Sequence, residues 1–260
     1  MNLLISLMEH ILKMNYLQMN EYSKFEKEEQ ALADYFGKGN FIPFYKKHLK
    51  QGKLKLTLND FIAGDIDTMF TAMKLLGINY EYDDYPKCLN KYLYRKIWES
   101  SIKSLKTELF TEYTINPTFI KPKNKLKKFT GCIIQSIDDL NKLNNSGDNT
   151  KIICSEQVNF ISEYRIPIIN GEIKDFCFYS GDSNIKIDKY IVQKMVKEFE
   201  NSPKAYCIDV GVLSTGETAL IEVNDAFSIG IYSMPKKVYA ELLITRWNEL
   251  KGHKNDMIMV

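Results

Sequence analysis

Apolar and polar residues alternate most clearly in residues 206–232, YCIDVGVLSTGETALIEVNDAFSIGIY, where two alternating runs flank the turn-prone Ser214-Thr215-Gly216-Glu217. This pattern predicts a β-hairpin. If the loop is symmetric about Thr215 and Gly216, Asp209 lies directly opposite Glu222, and Asn224 follows on the same face. Tyr206, Ile208, Val210 and Val212 then share the other face with Ala219, Ile221 and Val223, a surface suited to a core. Carboxylates directly opposite each other on paired strands repel unless a cation lies between them. An oxygen-only set of Asp, Glu and Asn suits a hard ion, Mg2+ or Mn2+, better than zinc. A solvent-facing hairpin with ordinary acidic side chains explains the same pattern more simply, and the pattern alone does not choose between the two.

The rest of the chain predicts a mixture of helices and strands. Residues 1–36 read as helical up to Gly37 and Gly39. The apolar opening MNLLISLMEHILK lacks a basic leader and is interrupted by Glu9 and His10, so it reads as an amphipathic helix, neither a signal nor a membrane span. Residues 54–62 predict a strand, Gly64-Asp65 a turn that caps a helix, and residues 66–77 that helix. Residues 88–108 read as one helix, with Leu89, Tyr92, Leu93, Ile97, Ile102 and Leu105 near one face, and Arg95 and Lys96 within it. Strands are expected at 118–122, 131–136, 151–155 and around Ile161 to Ile168. Asn170-Gly171 then forms a hairpin turn into a return strand at 172–181. Helices follow at 137–141, at 185–199 with Ile191, Met195 and Phe199 inward, and at 235–250, with a frayed tail beyond.

Composition narrows the class. With 260 residues, 45% of them hydrophobic and 26% charged, the chain has the make-up of a globular protein able to bury a sizeable core. A net charge of +2 argues against nucleic acid or membrane as a general partner. The five cysteines show no metal-ligand spacing and read as reduced thiols of a cytoplasmic protein. His10, His48 and His253 lie outside every motif, so histidine-based nucleophilic catalysis finds no support.

Two further patterns carry candidate chemistry. Lys121 sits on the strand TFIKP, sharing a face with Phe119, just before the basic run KNKLKKFTG. A strand lysine followed by a basic, glycine-ended loop suits a polyphosphate, although such a run is also what a solvated loop looks like. Glu163 and Arg165 share a strand face two residues apart, which fits either an internal ion pair or an anion- and hydroxyl-binding pair.

In this order, FIKP with its lysine, KKFTG, SEQV, SEYR and CIDV…IEVND, residues 118–232 resemble the ATP-grasp family, in its compact bacterial and phage form. The spacing of Asp209 from Glu222-Val223-Asn224 is similar to that family's magnesium-binding triad. The resemblance implies an α+β fold, antiparallel sheets with packed helices, preceded by a reduced α/β N-terminal domain. Its division would be 1–110 for the N-terminal domain and 111–260 for the ATP-grasp domain with its C-terminal helix. It implies ATP and Mg2+ (or Mn2+) as cofactors and a carboxylate-amine or carboxylate-thiol ligation through an acyl-phosphate. The partners would be an unidentified acid and an amine or thiol acceptor, small or part of a peptide or protein.

By the same resemblance, Lys121 contacts the nucleotide phosphates, and Lys128, Thr130 and Gly131 close over them. Glu156, Gln157 and Val158 form the hinge at adenine, and Glu163 takes the ribose hydroxyls. Arg165 faces the phosphates, Arg95 supplies a further phosphate contact, and Asp209, Glu222 and Asn224 hold Mg2+. One position departs from the family: many of its ligases carry an arginine two residues before the metal aspartate, where this chain has Cys207. Arg165 must take that role if one is needed. That departure motivates a second reading, a catalytically silent ATP-binding module. A nucleic-acid-binding protein using KPKNKLKK is a third, against which the charge balance and the acidic hairpin argue.

Overall fold

The computed structural model describes residues 13–81, 83–112, 116–123, 129–143 and 147–252. Its first sheet is parallel, built from β1 (Asn15–Met19), β2 (Ile42–Tyr45) and β3 (Phe61–Ala63) in the order β2-β1-β3. Helices α1 (Lys27–Phe36), α2 (Lys46–Lys50) and α3 (Ile66–Leu76) accompany it. The carboxylate of Asp65 accepts the Thr68 N–H at 2.9 Å, and Gly77 ends α3 with φ 66°, so the Gly64-Asp65 turn is a helix cap. The expected helix through residue 36 is replaced in part by β1. Its Leu17 is wholly buried, and the strand gains hydrogen bonds from two neighbours remote in sequence, which local periodicity does not register. Residues 1–12 lie outside the described residues. Residues 54–60 are irregular, and only the end of the expected strand forms.

A second, antiparallel sheet joins β4 (Ile97–Ser101), β5 (Thr118–Pro122), β6 (Cys132–Ile134) and β7 (Lys151–Glu156) in the order β4-β7-β5-β6. Helices α4 (Ile102–Glu112) and α5 (Ile137–Asn141) cover one face of it through Ile102, Leu105, Leu109 and Leu140, which pack on Ile120, Ile134 and Ile152. Phe119 and Lys121 alternate onto the other face. The single helix expected over 88–108 is three elements: a 3-10 turn at Lys87–Tyr92, β4, and the start of α4. Pairing of β4 with β7 overrides the helical spacing of its side chains.

The third sheet comprises β8 (Phe160–Ile169), β9 (Glu172–Ile173), β10 (Cys177–Gly181), β11 (Ala205–Leu213) and β12 (Thr218–Asp225). Its order is β10-β8-β11-β12, with β9 paired to β8. Asn170 and Gly171 both have positive φ, 53° and 76°, as the two-residue hairpin turn requires. Helix α6 (Lys189–Glu198) is shorter than expected and buries Val192 with Met195, leaving Ile191 and Phe199 half-buried. Helix α7 (Lys236–Gly252) ties this sheet to the first one: Arg246 grips Asp225 at 2.8 and 2.7 Å, and the Trp247 indole N–H donates to the Asp60 carbonyl.

The β11–β12 hairpin pairs Asp209 with Glu222 as expected, by a different route. The loop closes one residue tighter, with Leu213 N–H bonded to the Glu217 carbonyl, and Val210 then faces Leu220. A bulge at Ile221 absorbs the difference and restores the expected register at Asp209. The core face is therefore Leu220 and Val223, while Ile221 turns out of it, correcting the sequence expectation. All five cysteines are free thiols, and no described helix is long and apolar enough to cross a membrane.

Candidate active site

The polar face of the third sheet opposes the Phe119–Lys121 face of the second. Cross-strand register places Arg165 of β8 beside Asp209 of β11, and Asp209 beside Glu222 of β12. Arg165 donates from Nε to Asp209 Oδ1 at 2.8 Å and from Nη2 to Oδ2 at 2.7 Å, a two-pronged pair in which both side chains are almost fully buried. Its remaining nitrogen donates to the Gly230 carbonyl at 3.0 Å, and the guanidinium lies 4.6 Å from the centre of the Tyr232 ring. Burial lifts the Asp209 carboxyl above the ordinary carboxylate range, with Arg165 pulling against it. The Asn224 amide donates at 3.0 Å to both Asp209 Oδ2 and Glu222 Oε1, so the three head groups converge on one point.

Lys121 crosses from β5 to the same point. Its ammonium lies 2.6 Å from Glu222 Oε2 and 2.7 Å from Asp84 Oδ2, over the Tyr85 ring at 4.5 Å. Burial works against the ammonium's charge, but Glu222, Tyr85 and Asp84 outweigh it and raise the lysine pKa. Burial likewise opposes ionisation of Glu222, and Lys121 outweighs it, so that carboxyl is held below its usual range. The repulsion expected between Asp209 and Glu222 is thus met by two cations, one from each opposing sheet.

Beside this cluster runs a slot of about 330 Å³. Phe119, Ile133, Val158, Phe160 and the bulged Ile221 form its apolar walls, and Ser155, Glu156, Gln157 and Glu163 its polar edge. Glu163 accepts from the Tyr179 hydroxyl at 2.8 Å, and the Tyr179 ring stacks on Tyr232. Glu156 Oε2 accepts the Lys96 N–H at 2.8 Å, fixing the end of β7. The slot shares Phe119 and Glu222 with a second cavity of about 420 Å³, lined by Lys121, Thr130, Gly131, Arg165 and Asn224. A Cβ on Gly131 would meet the Phe119 ring at 2.5 Å, so this close approach needs glycine.

Most of the sequence-derived candidates therefore gather in one cleft. Lys128 lies outside the described residues. Arg95 lies in the segment before β4, where the expected helix is absent, and all its nitrogens are engaged within the protein. Nε donates to Ser155 Oγ, Nη1 to the Leu93 and Leu220 carbonyls, and Nη2 to the Ile221 carbonyl at 2.7 Å. It pins the bulge of β12 and lines the slot. Cys207 is wholly buried in the core that includes α7, and the arginine of the cleft comes from β8 instead. Sequence reading missed Asp84, Tyr85, Tyr179 and Tyr232. The acidic pair in DDYP was the one visible signal for the first two.

The oxygen chemistry of Asp209, Glu222 and Asn224, and their convergence at hydrogen-bond distance, fit a hard divalent ion. Asn224 would turn its amide oxygen towards the ion. Among the described residues no group of three or more His, Cys, Asp or Glu side chains forms a metal cluster, so the candidate set depends on the amide.

Comparison with known proteins agrees with this geometry. A family model described as an ATP-grasp domain, the second family of its clade, matches residues 92–242. D-alanine–D-alanine ligase from Bacillus anthracis superposes with a TM-score of 0.54 at 14% identity, over 93% of this chain and 99% of that one. N5-carboxyaminoimidazole synthetase from Staphylococcus aureus gives 0.53 at 10% identity, over 90% and 78%. The RimK domain ATP-grasp protein from Sphaerobacter thermophilus DSM 20745 gives 0.52 at 10% identity, over 88% and 99%. No curated protein sequence matches the chain. At these identities the likeness is one of fold, and it is the α+β fold expected from the sequence. By its family match over more than half its length, the chain belongs to the ATP-grasp superfamily.

Proposed function

We propose that this protein is an ATP-dependent ligase that joins a carboxylic acid to an amine, or to a thiol, through an acyl-phosphate. The observation that carries the reading is the convergence of Lys121 and Arg165 on Asp209, Glu222 and Asn224 at the end of an apolar slot. In this reading the slot takes adenine against Phe119, Val158 and Ile221, beside Glu156 and Gln157, and Glu163 takes the ribose hydroxyls. Lys121 moves from Glu222 to the nucleotide phosphates, where Thr130, Gly131 and Lys128 cover them. Arg165, fixed by Asp209 and the Gly230 carbonyl, stabilises the charge that builds on the transferring phosphoryl group. Mg2+ held by Asp209, Glu222 and Asn224 supplies charge neutralisation between the β- and γ-phosphates. The acid attacks the γ-phosphorus and ADP leaves. The acceptor nitrogen or sulfur then attacks the acyl carbon, loses its proton to water, and releases inorganic phosphate. The two-part division at 110/111 belongs to the same proposal.

ADP formation from Mg-ATP, measured over a panel of carboxylic acids with amine acceptors, tests it. Turnover that requires both an acid and an acceptor is the expected result. The silent-module reading has one structural observation in its favour: Arg165 is already fully engaged by Asp209 and Gly230. Nucleotide binding without ADP formation under every condition would favour that module.

A further inference from the structure

A third cavity, of about 490 Å³, adjoins the phosphate side of the cleft, with Ile66 and residues 228–230 forming a wall common to both. The separation is thin. A Cβ on Gly230 would lie 3.6 Å from Arg165 Nη1 on one side and 3.8 Å from Glu28 Oε1 on the other. Four carboxylates line this cavity, Glu26, Glu28, Glu29 and Asp65, and among the described residues its lining contains no Lys, Arg or His.

Three of these acids are already answered. Asp65 pairs with Lys46 at 2.5 Å, Glu28 accepts the Ile231 N–H at 3.0 Å, and Glu26 accepts from the Asn20 amide at 2.8 Å. Glu29 differs. It projects from α1 into the cavity with 7% of its surface exposed, and no cation or other side chain among the described residues pairs with it. Burial and the neighbouring Glu28, Glu26 and Asp65 push its carboxyl up to about 7, despite its own backbone N–H. A buried carboxylate without a counter-charge is costly, and a cation entering the cavity removes that cost.

We propose that this cavity is the acceptor subsite of the ligase and takes an amine that carries a second positive charge, an aliphatic diamine or a basic amino acid, with Glu29 anchoring the charged end. The inference rests on the ligase reading above. The anchored ammonium stays protonated. The other nitrogen, neutral, reaches past Gly230 to the acyl carbon; the C–N bond forms, the C–O bond to phosphate breaks, and the nitrogen's proton passes to water. An anionic acceptor would add like charge beside Glu29, and a neutral one would leave it uncompensated.

Isothermal titration calorimetry of the full chain with putrescine, spermidine and L-lysine tests this, with L-norleucine and L-glutamate as controls lacking the second cation. At least one dication should bind about tenfold or more tighter than either control. Glu29→Gln should weaken that binding by about 30-fold or more, and Glu26→Gln, at a carboxylate that already has a partner, by only a few-fold. Binding of an ATP analogue with Mg2+, measured on the same samples, should be unchanged in both variants. Absence of any dication preference in the wild type, or equal binding by wild type and Glu29→Gln, would overturn the assignment. Should Glu29→Gln not fold, an undiminished dication affinity in Glu26→Gln would support it and a loss as large as 30-fold there would overturn it. Failure of the wild type to bind Mg-nucleotide would count against the ligase reading, whereas the dication preference and its loss in Glu29→Gln decide the subsite.

Discussion

Asp209 and Glu222 face one another across β11 and β12, yet their surroundings divide them. Asp209 is buried and gripped at both oxygens by Arg165, whereas Glu222 is more exposed and shares the Lys121 ammonium with Asp84. Asp209→Asn would leave a buried guanidinium with the Gly230 carbonyl and the Tyr232 ring as its remaining partners. Removing one member of such a pair costs about 3–5 kcal/mol. Urea unfolding of the variant should show a loss of that size, and a loss below about 1 kcal/mol would mean that the pair is not formed in solution. For the same reason Asp209 is a poor position for testing metal binding, because stability and ligand loss would change together. Glu222 is the cleaner probe.

At the level of elements, the bulge at Ile221 links the fold to the site. It restores the register that sets Asp209 opposite Glu222, and it turns Ile221 out of the core into the slot, where Arg95 holds its carbonyl. Ile221→Trp should therefore fill the slot and lower nucleotide affinity about tenfold or more, while unfolding stability changes by about 1 kcal/mol or less. Unaltered affinity in a folded variant would show that the base binds elsewhere. The strands that alternate cleanly were legible in the sequence, and with them Lys121, Glu163, Arg165, Asp209, Glu222 and Asn224, because period-two spacing fixes which side chains share a face. The misses share a physical cause. β1 and β4 gain their hydrogen bonds from strands far away in sequence, so local helical spacing misled at 15–19 and 97–101. Asp84 and Tyr85 reach Lys121 from an irregular segment, and Glu29 reaches its cavity only through the packing of α1, where no local pattern points.

Across the whole molecule, three sheets meet around one cleft. The second and third form the slot and the cluster of charges, and α7 fastens the third to the first through Arg246–Asp225 and Trp247–Asp60. The cavities follow this arrangement in sequence: slot, phosphate side, and acidic chamber, each sharing a wall with the next. That continuity is what a two-step ligation asks of a protein, with the nucleotide at one end and the acceptor at the other. The central claim is that Glu222, with Asp209 and Asn224, makes nucleotide binding depend on a divalent ion. The most direct measurement is the affinity of a non-hydrolysable ATP analogue, with and without Mg2+, for the wild type and for Glu222→Gln. The account predicts that Mg2+ tightens binding by about tenfold or more in the wild type and that this gain disappears in Glu222→Gln while the variant stays folded. An equal Mg2+ effect in both proteins would contradict it.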